Sequence, residues 1–510
     1  MTAGALLQLK YGLADRMAFL TFNPSISHFK SVYKRYTNFA LETIALVPIR
    51  NSTLSFTDDT KISFKITRDA DLVKDMFLTF QFPDIYSPNS LDVASYPQFN
   101  GYYNFQWIKR LAEYLVKEVS ITIDSQTDID RHYSEWFHIS SEMTLPAEKK
   151  AGYYEMIGNI PEYYDPANGA GCNGTYPSGF DKGNPYVPSI VGRRIVLPLR
   201  FWFNNNATTS FPLIATQRME FVVNVTLRSL QQLYTLVEPG TGNVVRPPST
   251  PVFGTFLQPQ TTSNSLDLTV NLEANYIFLE REERKRFALA SHEYLITQIQ
   301  KIGPYSVNGS ANTINLDLKN INKPVTNLYF VLRRDDLENV NDWSNFTNWP
   351  GQIPPFRTGF HNPYGLNPSP FPAKLAYYKT PYILRSGRIL IDGAELADGY
   401  VYNFDNGGTE INGKDAFYYN YIQPYMFQKN IPGQGIYSFS FSLDNNEYQP
   451  CGAINMSSIQ TKQLILNTID RDTTGGYVDN IPYSFNVYVF ALNYEIVKIM
   501  GGMFGPATSN

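Results

Sequence analysis

The chain has 510 residues, of which 43% are apolar and 17% are charged, and its formal net charge is −4. This length exceeds one ordinary hydrophobic core, so we expect two domains, and the composition excludes a disordered chain and a polycation. A chain without a dense Lys/Arg block offers no basic face, so we expect no direct contact with nucleic acid. The 36 Tyr, 34 Phe, 33 Gly and 33 Pro favour short strands joined by long loops.

The chain start is predicted to be an N-terminal arm, residues 1–24, that ends at Asn23-Pro24. The opening MTAGALLQLKYG lacks a basic segment followed by an apolar core, so it predicts no signal peptide and a protein that is not secreted. No apolar run reaches the length that crosses a bilayer. Two cysteines, Cys172 and Cys451, are too few for a disulfide framework or a four-thiolate metal site.

Alternating apolar residues predict most strands in chain order. The first-half strands are expected at Thr53–Phe56, Lys61–Ile66, Met76–Phe82, Val119–Ile123, Arg194–Phe203 and Met219–Leu227. A short helix is predicted within Phe105–Lys117, and a helical pattern over Trp136–Gly158 is interrupted by Pro146. Stretches rich in Gly, Pro and Asn predict long surface loops at residues 153–188, 239–264 and 336–378.

The second half repeats the pattern of the first. Ile62–Phe80 and Ile314–Leu332 align without a gap, with apolar residues at eight shared positions. Three further segment pairs follow in the same order: Val119–Asp124 with Arg388–Asp392, Phe203–Val225 with Phe441–Leu466, and Ala274–Phe287 with Asn486–Met500. The last pair predicts a strand over Ala274–Phe287 that closes the first domain. The sequence therefore predicts two similar β domains in tandem, at 25–290 and 291–510.

Searches for catalytic, cofactor and metal sites yield no positive prediction. No Gly-rich phosphate loop and no Gly-x-Ser-x-Gly elbow occurs in the sequence. His132 and His138 lie near three acidic residues, but their spacing matches no compact ligand motif. Three carboxylates, Asp69, Asp71 and Asp75, are expected in a turn between two strands, where Asp is favoured by local hydrogen bonding. We therefore expect no enzyme, no cofactor and no bound metal.

Asn-x-Ser/Thr sequons offer a possible modification. Among seven of them, Asn173, Asn308 and Asn345 are the candidate glycosylation sites, because they fall in predicted loops. The absence of a predicted signal peptide argues against use of these sites by the secretory pathway.

Several sequence blocks, in order, resemble one known family. The opening block combines Asn23-Pro24, Phe29-Lys30, Arg35 and Thr37–Ala40; later blocks are Ile129–Tyr133 with Glu135-Trp136, Leu197–Leu199 with Phe201–Phe203, Pro212–Ala215, Glu282–Arg284 with Ser291–Ile296, Gln423–Tyr425, Asn430–Pro432, Gln449–Gly452 and Gly501–Met503. Together they span almost the whole chain and resemble the major capsid proteins of nucleocytoplasmic large DNA viruses.

This resemblance implies an all-β double jelly roll: two tandem eight-stranded β-sandwiches with long loops and a few short helices. It also implies a homotrimer with a nearly hexagonal outline that tiles an icosahedral virus shell. The expected partners are further copies of the chain, minor capsid and penton proteins and, indirectly, an internal viral membrane. The expected location is the virion, with assembly in the host cytoplasm.

Two other functions remain open from the sequence. The chain could be a minor or satellite-virus capsid paralogue, which copy number per particle would distinguish. It could also be a jelly-roll protein that binds or cleaves carbohydrate, with Trp343 and Trp349 as an aromatic platform for a sugar. That function requires the tryptophan rings to be exposed.

Overall fold

The fold was analysed in a computed structural model of the 510-residue chain. The residues described are 3–11, 19–49, 52–87, 104–124, 128–169, 172, 174–177, 187–237, 244–245, 253–259, 261, 263–307, 312–352, 380–403, 409–445, 449–469 and 483–507. The sequons Asn173 and Asn308 lie outside them, as do most of the predicted loop 239–264 and the second part of the loop 336–378.

Strands dominate both halves of the chain. The first half contains β1 Phe39–Leu46, β2 Thr53–Leu54, β3 Thr60–Lys65, β4 Leu72–Gln81, β5 Asn104–Trp107, β6 Val116–Ile123, β7 Asp130–Tyr133, β8 Arg194–Pro198, β9 Phe211–Pro212, β10 Phe221–Leu227, β11 Tyr234–Val237, β12 Val244–Val245, β13 Leu266–Asp267 and β14 Thr269–Leu279. The second half contains β15 His292–Ser306, β16 Thr313–Asp317, β17 Pro324–Arg334, β18 Leu384–Ile391, β19 Ala394–Glu395, β20 Tyr400–Asn403, β21 Thr409–Asn412, β22 Lys414–Asp415, β23 Ile436–Ser440, β24 Ile454–Asn455, β25 Lys462–Thr468, β26 Phe485–Met500 and β27 Met503–Pro506.

The helices are short and lie between strands. The α-helices are Ala3–Tyr11, Leu111–Leu115, Ser134–Thr144, Ala147–Met156, Pro161–Tyr164, Trp202–Asn205, Arg281–Leu289 and Gln423–Phe427, the last preceded directly by a π-helical turn, Tyr418–Ile422. None of the described helices combines the length and apolarity needed to cross a membrane.

Each half forms a jelly roll with the same strand order. In the first roll one sheet runs β1-β14-β4-β8 and the other β3-β10-β6-β7; in the second roll the corresponding sheets run β15-β26-β17-β23 and β16-β25-β18, with β22 paired to β18. All of these pairings are antiparallel. The double jelly roll predicted from the family resemblance is therefore confirmed.

The repeat is present residue by residue. Phe77 pairs with Glu273 in the first roll, and its sequence counterpart Tyr329 pairs with Phe490 in the second. The turn residues that follow β6 and β18, Asp124 and Asp392, both have a positive φ. All four segment pairs predicted from the sequence thus occupy equivalent places in the two rolls.

One predicted strand is wrong over its second half. β14 ends at Leu279, and Arg281–Leu289 is an exposed α-helix, whereas the counterpart β26 continues as a strand to Met500. Glu282 and Glu283 lie in the first turn of this helix and Arg286 in its last turn, an arrangement that the helix dipole favours. The predicted helix in Phe105–Lys117 is confined to Leu111–Leu115, and Pro146 separates two helices as expected.

The predicted surface loops contribute to the cores. Tyr153, Ile157 and Tyr163 from the segment 153–188 are buried in the first roll's core, and so are Phe253 and Phe256 from the segment 239–264. Aromatic residues here exceed what a short sandwich needs, and the excess seals the end of the sheets. Ile296 and Val497 from the second-half strands β15 and β26 also pack into this first core, so the two rolls share a continuous packed boundary.

Candidate assembly surfaces

The two rolls meet through surfaces of different kinds. The helix Ser134–Thr144, here called the first-roll helix, lies on the outer face of the second roll's β15-β26-β17-β23 sheet. Trp136, Ile139 and Met143 on this helix form a buried cluster with residues of that sheet, namely Tyr329, Val331, Ile436, Tyr488 and Phe490. The Trp136 ring centroid lies 5.4 Å from that of Tyr329 and 6.0 Å from that of Phe490. One helix and one sheet face therefore make up this joint.

A buried carboxylate binds cations from both rolls at the joint. Glu135 lies 3.2 Å from the Lys301 ammonium, 3.6 Å from the Arg333 guanidinium and 4.0 Å from that of Arg228. Lys301 and Arg333 belong to β15 and β17, whereas Arg228 follows β10 of the first roll. Such an ion cluster fixes the relative position of the rolls, because separating them would leave buried charges unpaired.

The cluster sets the ionisation of Glu135. Burial by itself raises the pKa of this carboxyl, but attraction to Lys301, Arg333 and Arg228 outweighs burial and lowers the pKa to about 2. The Lys301 ammonium also lies 4.3 Å from the Tyr133 ring centroid, a cation–π distance. The carboxylate therefore stays charged at neutral pH.

A second buried ion network holds the helices of the first roll. Arg110, in a left-handed backbone conformation with φ 55°, donates to Glu113 at 2.5 Å and to Glu142 at 2.8 Å. Tyr153 donates to Glu113, and Tyr154 to Glu142. A cleft of about 320 Å³ between the rolls is lined by this arginine and by Glu142. Their charges compensate each other within the fold, as a structural joint requires.

The segment after β17 is buried between the rolls. The Trp343 indole N–H donates to the Gln232 carbonyl, and its ring lies 4.6 Å from the Arg228 guanidinium and 5.3 Å from that of Arg333. Only 7% of Trp343 is exposed. An exposed aromatic platform for a sugar is therefore absent at Trp343, and the tryptophan instead covers the ion cluster.

The residues considered for metal binding or catalysis have structural roles. His132 lies 3.1 Å from Asp130 and stacks on Phe201, whereas His138 is paired with the Tyr114 hydroxyl; burial lowers the pKa of His138 well below its usual value. The structure does not bring the two histidines together at one site. Over the described part of the chain, no group of three or more His, Cys, Asp or Glu is placed to hold a metal ion.

The three carboxylates predicted in one turn are separated by the strand that follows. Asp69 lies in the turn, Asp71 precedes β4 and Asp75 lies within it. Asp71 is buried, accepts a hydrogen bond from the Leu279 backbone N–H and pairs with Arg284 at 2.8 Å. It thereby ties the helix Arg281–Leu289 to the sheet edge.

One candidate glycosylation site can be located. Asn345 is 0% exposed, and its amide nitrogen donates to the Asp342 carboxylate and the Trp349 carbonyl, both at 2.9 Å. Its amide oxygen accepts from the Thr347 backbone N–H and hydroxyl. The folded chain therefore leaves no room for a glycan on this side chain.

Two exposed apolar surfaces contrast with the buried joint. The arm that precedes β1 exposes Phe19, Phe22, Phe29, Tyr33 and Tyr36, each to more than four-fifths of its area. In the second roll, the helical segment Phe417–Phe427, here called the second-roll helix, exposes Phe417, Ile422, Tyr425 and Met426. Exposed apolar groups of this size mark interaction surfaces.

Charge also separates the arm from the body. Residues 1–38 contain five basic residues and one acidic residue, so they carry +4, and the net charge of −4 for the whole chain leaves −8 on the remainder. A basic, aromatic arm on an acidic body suits contact with a neighbouring acidic protein surface.

The joint could not be found from the sequence. Glu135, Arg228, Lys301 and Arg333 are dispersed over 199 positions of the chain. The available signal was the shared strand pattern, which predicts two similar rolls but not which faces meet. Recognising Glu135 and Trp136 as part of a family block was the one indication that these residues matter.

The amino-acid sequence is similar to several viral capsid proteins. The major capsid protein of Phaeocystis pouchetii virus is 28% identical over 568 residues, covering 100% of both chains. That of Chrysochromulina ericina virus is 27% identical, covering 99% of this chain and 100% of the relative. That of Paramecium bursaria Chlorella virus 1 is 28% identical over 534 residues, again with 100% of both chains. These relatives are structural capsid proteins rather than enzymes.

Solved structures and family descriptions agree with this similarity. The quasi-atomic model of the PBCV-1 virus capsid matches with a TM-score of 0.64 at 24% identity, covering 95% of this chain and 100% of that one. The Faustovirus major capsid protein matches with a TM-score of 0.60 at 14% identity, covering 97% and 96%. Residues 27–280 match the family described as major capsid protein N-terminus, and residues 283–505 match the large eukaryotic DNA virus major capsid protein. The chain belongs to the major capsid proteins of large eukaryotic DNA viruses.

Proposed function

We propose that three copies of the chain close into a pseudo-hexagonal homotrimer and that these trimers tile an icosahedral shell. The observation that carries the proposal is the joint between the rolls, in which a helix of one roll packs on the sheet of a similar roll. A contact between two different surfaces is heterologous, and its repetition generates a ring when the rotation closes. Two similar rolls in each of three copies supply six similar units.

The domain division belongs to the same proposal. We assign residues 1–24 to the arm, 25–290 to the first roll and 291–510 to the second. The arm would lie outside the ring of rolls and provide a contact for minor capsid and penton proteins, because it is apolar, basic and uncovered in the single chain. The negative body would repel nucleic acid. An internal viral membrane would be reached only through such partner proteins.

The site of assembly follows from the expected partners. The chain would assemble in the host cytoplasm without passing through the secretory pathway, and it would reside in the virion shell. Trimers would meet through weak contacts that are repeated over the shell, so shell stability would come from their number.

The oligomeric state of the purified protein tests the proposal. Sedimentation velocity over a hundredfold range of concentration should give a species with three times the 58.0 kDa mass of the chain. Electron micrographs of that species should show a nearly hexagonal outline. A monomer throughout the range, or a twofold dimer, would contradict the proposed trimer.

A further inference from the structure

The joint within one chain indicates which surfaces remain for a second copy. In the first roll, the helix between β7 and β8 is covered by the second roll's sheet. In the second roll, the corresponding helix between β22 and β23 is uncovered, as is much of the first roll's β1-β14-β4-β8 sheet face at β1. Each chain therefore offers one free helix and one free sheet face of the kinds already joined within it.

Strand registers establish the helix correspondence. Glu118 of β6 pairs with Tyr133, and its counterpart Ser386 of β18 pairs with Asp415. Counting onward from these pairs places Phe137 opposite Tyr419, and both are fully buried in the core of their own roll. The same count yields the outward-facing equivalents: Glu135 with Phe417, Ile139 with Tyr421, and Met143 with Tyr425.

These equivalent helix positions differ sharply in exposure. Ile139 and Met143 are at most 1% exposed because the second roll covers them, whereas Tyr425 is 78% exposed. Phe417 is 52% exposed and stacks on Tyr421 at a centroid distance of 4.9 Å, so the second-roll helix presents a preformed aromatic face. A surface that is buried in one repeat and apolar but open in the other lacks its partner.

The sheet face follows from the same registers. Lys301 pairs with Phe490 and Phe490 with Tyr329; in the first roll the same positions are Ala45, Glu273 and Phe77. The outer face of β1 exposes Phe39, Leu41 and Ala45, while Ile44 and Leu46 point to the core. The free sheet face is therefore apolar where β1 forms its edge.

Two substitutions in the repeat agree with each other across the contact. Within the chain, Glu135 of the helix pairs with Lys301 of β15. At the equivalent positions of the free surfaces stand Phe417 on the helix and Ala45 on β1, so the ion pair is replaced by two apolar residues. A lone carboxylate or ammonium in this place would be buried without a partner. The simultaneous change preserves complementarity between the two free surfaces.

We propose that the second-roll helix of one copy packs on the outer β1-β14-β4-β8 face of the next copy. The assignment rests on the proposed trimer and names the surfaces that build it. Phe417 and Tyr425 contact β1 around Leu41 and Ala45, and three such contacts alternate with the three joints within the chains. The occupant of the free sheet face is thus a second copy, because it extends the interface already present between the rolls.

Single substitutions on each surface test the assignment. Tyr425→Glu alters the helix and Leu41→Glu alters the sheet; each native side chain is largely exposed in the single chain, so each variant should fold. Leu396→Glu is the control, because Leu396 is 41% exposed beside the hairpin turn at Asp392 and lies outside both surfaces. Each surface variant should weaken association by about thirtyfold or more, whereas the control should remain trimeric.

Mixing the two surface variants gives a sharper test. Tyr425→Glu retains an intact sheet face and Leu41→Glu an intact helix, so a mixture contains one unaltered contact per pair. Mass photometry should show a one-to-one dimer in the mixture, neither variant alone should self-associate, and no closed trimer should form. If the wild type is trimeric but both variants remain trimeric, the surface assignment is overturned while the trimer stands. If the wild type never forms a trimer, the proposed function itself fails.

Discussion

Glu135 offers a quantitative test of how the two rolls are held together. Glu135→Gln keeps the shape of the side chain but removes its charge, which leaves Lys301, 15% exposed, without its carboxylate. Arg333 retains Glu338 at 2.7 Å and Arg228 retains the Ser134 hydroxyl at 2.9 Å, so lysine bears most of the loss. Removing one partner of a buried pair costs about 3–5 kcal/mol, and we expect the free energy of unfolding to fall by that amount.

Urea unfolding at one fixed protein concentration measures this loss, since association also shifts apparent stability. Glu293→Gln is the matched control: its ion pair with Lys498 has a similar distance, 3.0 Å, but both side chains are at least 40% exposed. We expect the control to stay within about 1 kcal/mol of the wild type. An effect of Glu135→Gln as small as that of the control would refute the view that this cluster holds the joint.

Three further predictions follow from the same contacts. The folded-state pKa of Glu135 is about 2 against a usual 4.5, so its stabilisation is complete above pH 4.5 and is lost as the pH falls toward 2; the stability of Glu135→Gln should fall less steeply than that of the wild type over this range, and equal slopes would contradict the pKa. Trp343→Ala should lower the free energy of unfolding by about 3–5 kcal/mol, because it empties a buried site and uncovers two arginines; a change below about 1 kcal/mol in chemical denaturation would show that the site is not packed. Removal of residues 1–38 should leave the thermal midpoint of the rolls unchanged, because residues 19–38 are exposed; a marked fall in the midpoint on calorimetry would reveal contacts that the single chain does not show.

The strands were the most predictable part of the fold. Ile62, Phe64 and Ile66 alternate with polar residues, and this local pattern suffices because one face of the strand is buried in the core. Pro146 likewise breaks a helix for reasons of local backbone chemistry. Where local chemistry decides the conformation, the sequence predicts it.

The failures arose where packing between distant segments decides the structure. Tyr163 and Phe253 occur among Gly- and Pro-rich residues, and only the open end of the first roll explains why they are buried. The helix Arg281–Leu289 replaces a strand that the repeat predicted, because Arg284 pairs with the buried Asp71 and acidic residues favour the first turn. Asn345 has the sequence of a glycosylation site, but its side chain bonds within the fold.

Electron cryomicroscopy of the purified protein is the most direct test of the claim that a single kind of helix-on-sheet contact is used both within and between copies. We expect a threefold particle with six similar lobes, in which Tyr425 of each copy lies against β1 of the next. A particle in which helix meets helix or sheet meets sheet across a twofold axis would contradict the account.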